Sequence, residues 1–260
     1  MKNILVTNDD GVTAPGLLAL ALEMTQVGKV TVLAPDRNWS ASGHAKTLHK
    51  PLRVKPVSIH PDIEAYNSDG APSDCVSLAL MGALDRKFDM VVSGINPNAN
   101  IGHDITYSGT VTAAMEATIR GVFGIAVSLD SPLGIAGDLD YSTAAKAAKR
   151  AVLNVFKHGL PKGVLLNINV PYLTEENLKG FSITRQGLRI YHDELVKRTD
   201  PRGKPYFWIG GEFPTGLEEN QTDYGMMKTG YVSITPLHLD LSAYSAFETL
   251  TAWDWNKQGG

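Results

Sequence analysis

A chain of 260 residues, 43% hydrophobic and 20% charged, has the composition of a globular protein with a sizeable core, either one large α/β domain or a domain with an extension. Its formal net charge of -3 leaves no electrostatic footprint for a nucleic-acid polymer or an anionic membrane. Cys75 is the only cysteine, which excludes an intramolecular disulfide and a cysteine-rich metal site, and its apolar neighbours make it a small core residue. No apolar run approaches a membrane span and Asp9 comes too early for a signal-peptide core, so the expected location is the cytoplasm.

Residues 4–6 form a short apolar run, a buried strand that drives into Asn8, Asp9, Asp10 and Gly11. Within a strand, neighbouring side chains face opposite ways; on a turn leaving it, Asp9 and Asp10 can converge, and Gly11 supplies the permissive backbone. Residues 17–24 have helical spacing. Residues 30–34 are a second buried strand, followed by a polar loop that carries Ser40. Residues 46–66 suggest extended, antiparallel pieces. Ser73 is the expected N-cap of a helix over residues 75–84.

Residues 90–93 are another strand, with a polar loop over 94–102. The segment 107–110 precedes a helix reaching Arg120. Residues 125–129 and 164–170 read as strands around a helix over 141–156. Past Pro171 the character changes. Residues 182–185 suggest one strand. Residues 197–230 mix prolines, glycines and exposed-looking aromatics, a long hairpin arm or flexible loop. A strand resumes at 231–234. After Ser242, an expected N-cap, Tyr244, Phe247, Leu250 and Trp253 fall at spacings of three, an amphipathic helix whose apolar side needs a partner.

Apolar strands alternating with helices specify an α/β fold, a mostly parallel Rossmann-like sheet flanked by helices. The expected division is a catalytic core over 1–180 and a C-terminal extension over 181–260. Ligands of such sheets bind outside the carboxyl ends of the strands, where Asn8 to Asp10, the loop to Ser40, and Asn96 to Asn100 gather. No nucleophile elbow, dinucleotide fingerprint or complete P-loop is present, and the histidines lack zinc-site spacing. What remains is oxygen: Asp9, Asp10, Ser40 and Asn96. Such hard ligands select Mg²⁺, Mn²⁺ or Ca²⁺, and an octahedral ion held by four of them keeps about two positions for water and substrate. Ser108, Gly109 and Thr110 at a helix N-terminus offer N–H groups and hydroxyls to an anion, or simply cap the helix.

The segments TNDDGVTAPG (7–16), APDRNWS (34–40), PSDC (72–75), VSGIN (92–96) and YSGTV (107–111) together resemble the stationary-phase survival protein SurE family, in order, over most of residues 1–130. The resemblance implies a metal-dependent phosphomonoesterase acting on nucleoside monophosphates at the 5′ and also the 3′ position, and on short polyphosphate. It implies one Mg²⁺ or Mn²⁺ per subunit on Asp9, Asp10, Ser40 and Asn96, with Asp9 and Asp10 catalytic. It places Asn100, Ser108, Gly109 and Thr110 at the phosphate, and it implies a homodimer or homotetramer with a swapped terminal helix. Trp39, Ala41, Pro97 and Asn98 depart from the family pattern, and substrate preference is the property these loop changes touch. Attack by Asp9 itself and by a metal-oriented water both remain open, and a nucleotide-binding sensor without turnover is the alternative from another class.

Overall fold

The computed structural model describes residues 1–132, 134 and 138–255. Its core is a nine-stranded sheet of order β3-β4-β2-β1-β5-β6-β7-β11-β8. The strands β1 (Asn3–Thr7), β2 (Lys29–Pro35), β4 (Glu64–Ser68), β5 (Met90–Asn96), β6 (Phe123–Asp130) and β7 (Val164–Pro171) pair in parallel. Two antiparallel additions flank them: β3 (Val54–Val57) on β4, and β11 (Val232–His238) on β7. Strand β8 (Phe181–Ile183) pairs parallel to β11 and forms the far edge.

Alternation along β1 assigns the two faces. Ile4 and Val6 pack under α1 (Pro15–Met24) and α4 (Ser142–His158), against Leu17, Leu20, Ala144 and Ala148. Leu5 packs on the other side under α2 (Pro72–Leu80) and α3 (Gly109–Ile119), with Val76, Ala113 and the core residue Cys75. Each such aliphatic burial contributes about 1.5–3 kcal/mol, which fixes strand register, because a one-residue slip would exchange the faces.

Several boundaries differ from those read in the sequence. Helix α2 starts at Pro72, and Ala71 occupies the N-cap position; the Asp74 carboxylate accepts the Ala71 N–H at 2.9 Å, which places Ser73 inside the first turn. The helix stops at Leu80, not 84, because Gly82 turns the chain with φ +102°. The arm begins earlier than residue 197: β9 (Arg189–Thr199) and β10 (Pro205–Gly216) form a separate two-stranded antiparallel sheet. Residues 222–227 pack on the core instead. A short helix α5 (Asp223–Lys228) buries Tyr224 and Met227 against Ala99 and Ile101. At the C-terminal end, Ser242 donates its N–H to Asp240 Oδ1 in a local turn. A 3₁₀ turn, Tyr244–Ala246, then leads into α6 (Phe247–Thr251), and Tyr244, Phe247, Leu250 and Trp253 stay exposed. Among the described residues no helix is long and apolar enough to cross a membrane.

Candidate active site

From β1 the chain moves outward to β2 and β4, then returns to place β5 on the other side of β1. The sheet's switch point therefore lies between the carboxyl ends of β1 and β5, where an open sheet leaves a crevice. Asp9 and Asp10 follow one strand and Asn96 ends the other.

The turn after β1 is closed by Asn8. Its Nδ2 donates to the Gly11 carbonyl at 3.0 Å, and its Oδ1 accepts the Gly11 N–H at 3.2 Å. Gly11 has φ +108°, which few side chains tolerate. Asp9 is buried at 4% exposure, and its carbonyl accepts the Trp39 N–H at 2.7 Å, tying the Ser40 loop to the turn. Across the crevice, helix α3 presents its N-terminus to Asp9. A Cβ on Gly109 would lie 2.7 Å from Asp9 Cβ, so this approach requires glycine. Thr110 Oγ1 donates to Asp9 Oδ1 at 2.5 Å.

These contacts set the electrostatics. Burial raises the Asp9 carboxyl above the ordinary aspartate range, against the Thr110 hydroxyl and nearby backbone N–H groups that favour its charged form. Asp10 is pushed up to about 7, first by burial and then by the charge on Asp9. Among the described residues, neither carboxylate has a basic partner within ion-pair distance.

An open cleft of about 280 Å³ lies beside Asp9 and is lined by Ser40, Asn96, Asn100 and Ser108 among others. Five of the residues singled out in the sequence thus meet. Asp10 sits next to Asp9 but does not line this cleft, and Gly109 and Thr110 lie against Asp9 rather than in the opening. Ser108 is both cap and wall: its Oγ accepts the Val111 N–H at 3.1 Å. Asn96 donates Nδ2 to the Asn98 carbonyl at 2.5 Å, so Oδ1 is the atom it has for a cation. Asn100 is held from below: Asn167 and Asn169 donate to its carbonyl, Asn169 Oδ1 accepts its N–H, and its own amide donates to Ser128.

The donor set suits a hard divalent cation. Two adjacent carboxylates, one held up at about 7 and neither neutralised by a basic side chain, are relieved by a bound cation, and Ser40 and Asn96 add neutral oxygens. Sequence reasoning missed further lining residues, Asp104 and, from the arm, Arg189, Phe213 and Pro214; Tyr107, which opens the segment before α3, lines the cleft with them. A larger groove of about 550 Å³ runs along α4, lined by Lys146, Arg150, Leu153 and Phe181, and gathers no paired carboxylates.

Fold and cleft together define a Rossmann-like α/β protein with an acidic, oxygen-lined site at the switch point of its sheet. The chain belongs to the SurE family: the family model described as Survival protein SurE matches residues 4–193. It is 49% identical over 254 residues to the 5′-nucleotidase SurE of Herpetosiphon aurantiacus, covering 98% of this chain and 99% of that one. The 5′-nucleotidase SurE of Chloroflexus aggregans is 48% identical over 252 residues, covering 97% of this chain and 99% of that one. The crystal structure of the SurE protein from Aquifex aeolicus superposes with a TM-score of 0.81 at 41% identity, covering 96% of this chain and 98% of that chain.

Proposed function

We propose that the protein is a divalent-metal-dependent phosphomonoesterase that hydrolyses nucleoside monophosphates to nucleoside and phosphate, acting on 5′-nucleotides and also on 3′-nucleotides and short polyphosphate. The nucleotide class follows from relatives named 5′-nucleotidase at nearly half identity over nearly the whole chain. The chemistry rests on one observation: buried Asp9, with half-buried Asp10 beside it and no basic partner for either among the described residues, meets the N-terminus of α3 at the switch-point cleft.

Asp9, Asp10, Ser40 and Asn96 would hold one Mg²⁺ or Mn²⁺, which supplies charge neutralisation at the phosphoryl group and a means of activating water. The chain's own residues supply position. Thr110 fixes one oxygen of Asp9, and the Asn8 turn fixes its backbone. The Ser108 hydroxyl, whose oxygen accepts the Val111 N–H, keeps its hydrogen to donate to a phosphate oxygen beside Asn100. The exposed aromatics of the terminal segment and the arm support a homodimer or homotetramer in which the terminal helix is exchanged. The decisive assay is release of inorganic phosphate from adenosine 5′- and 3′-monophosphate and tripolyphosphate with Mn²⁺ or Mg²⁺. Activity that Asp9→Asn abolishes supports the reading; an inert, folded wild-type protein refutes it.

A further inference from the structure

Part of the cleft's lining is not built by the Rossmann core. It comes from the arm, more than a hundred residues away in sequence from the β1 turn, through Arg189 of β9 and Phe213 and Pro214 of β10. Two features aim this wall. The first is a break in the β9–β10 ladder. Glu212 pairs with His192 and Thr215 with Ile190, so Phe213 and Pro214 together stand opposite Tyr191 alone. Such a bulge bends its strand and re-aims a side chain, and Pro214 has no N–H to restore the ladder.

The second feature is the stitching of the arm's base to the segment that leads into Ser108. Arg189 Nε lies 2.8 Å from Asp104 Oδ2 as an ion pair, and the Tyr191 hydroxyl donates to Asp104 Oδ1 at 2.7 Å. Gln186 donates to the Gly102 carbonyl at 2.7 Å. Asp223 accepts the N–H groups of both Gly102 and Gly187 at 2.9 Å. The wall is thus held in place relative to the site. Phe213 lines the cleft and leaves half of its surface exposed.

We propose that Phe213 is a specificity-determining residue, the platform on which the nucleobase of a bound nucleoside monophosphate stacks while its phosphate lies at Ser108. The proposal rests on the nucleotidase reading above and adds the group that distinguishes a nucleotide from any other phosphomonoester. An aromatic face suits every base, so it selects for a base without selecting among bases. Tyr107 also borders the cleft and is exposed, but it directly precedes Ser108, so its replacement would disturb the phosphate end as well. Phe213 is the cleaner probe.

The test compares adenosine 5′-monophosphate with ribose 5-phosphate, which offers the same phosphate ester without a base, in the presence of Mn²⁺. In Phe213→Ala the ratio of kcat/KM for the nucleotide over that for the sugar phosphate should fall about ten-fold, mostly through KM for the nucleotide, the size of effect that base–aromatic stacking carries. Phe213→Trp should restore the ratio. A loss shared equally by both substrates, or an unchanged ratio, would overturn the proposal and leave the hydrolase reading standing. Wild-type protein inert on both compounds would instead remove the hydrolase reading, and this one with it.

Discussion

Replacing Asp10 by Asn should make the metal-free protein more stable above neutral pH, although it removes a proposed cation ligand. Burial, reinforced by the charge on Asp9, lifts the Asp10 carboxyl from 3.8 to about 7. Between those values the unfolded chain has released the proton while the folded protein still holds it. Unfolding therefore becomes easier as pH rises from about 4 to about 7, and above that range the native state carries the whole cost. A shift of roughly three pH units corresponds to about 4 kcal/mol at full value. Because Asp10 is only partly buried, solvent screening brings this to about 2 kcal/mol. The amide has no charge at any pH and escapes that cost, so Asp10→Asn should melt roughly 5 °C higher at pH 8 in a chain of this length. The assay is thermal unfolding in EDTA from pH 5 to 8.5. Near pH 5 the two proteins should differ by somewhat under half of the full gap, which widens up to about pH 7 and stays constant above it. Mn²⁺ should then raise the wild-type melting temperature and act much less on the variant. A variant less stable than wild type at pH 8 in EDTA, or two profiles that stay parallel, would refute the argument.

Gly109→Ala should cost about 100-fold in phosphate release and lower the melting temperature by a few degrees, because the added Cβ, 2.7 Å from Asp9 Cβ, displaces the buried Asp9; retention of wild-type turnover would contradict the packing. Glu116, buried at 1% exposure, is bonded by Lys46, Ser77 and Arg120 and lies 3.2 Å from His44, and these partners hold its carboxyl well below the usual carboxylate range despite burial. Glu116→Leu should destabilise by about 2 kcal/mol, less than a fully enclosed pair because the cationic partners reach water, and denaturant unfolding measures it. Since His44 and Lys46 follow Ser40 in the same loop, the variant should also lower kcat, which a purely structural anchor elsewhere would leave unmoved. Deleting residues 240–260 should yield monomer or aggregate; full-length protein sedimenting as a clean monomer at low micromolar concentration would rule out the exchanged helix.

The parallel core was legible because its signal is local. Runs such as residues 30–34 and 90–93 are apolar on both faces, as strands covered on both sides must be, and each ends in polar residues that have no place in a core. Boundaries were less legible where a single contact decides them. Nothing in the letters of 72–75 says that Asp74 reaches back to the Ala71 N–H and moves the helix start to Pro72, ahead of Cys75. Helix α5 was missed for a different reason: at six residues it has too little periodicity to register, and its burial depends on Ala99 and Ile101, which come from a loop over a hundred residues earlier.

The site divides along the same line. Asp9, Asp10, Ser40, Asn96 and Ser108 stand at strand ends or a helix start, positions that the chain order of an α/β fold already brings to one edge. Their division of labour is not encoded that way. Thr110 was expected beside the phosphate on the strength of its place at a helix N-terminus, yet its hydroxyl is committed to Asp9, and that choice depends on an approach only Gly109 permits. The second wall is further from local inference still. Phe213 reads as one more aromatic in an irregular stretch until the β9–β10 register is known, because only the mismatch opposite Tyr191 turns it out of the ladder. Its place then depends on Asp104 and Asp223, which join the arm to the Gly102 segment across the chain. On the proposed reading, the residues that make the chemistry available lie within the repeating βα pattern, whereas Phe213 lies on the β9–β10 arm, whose place is set by long-range polar contacts. Substitutions in the arm are accordingly the ones expected to alter substrate choice while the carboxylate pair, its turn and its helix stay as they are.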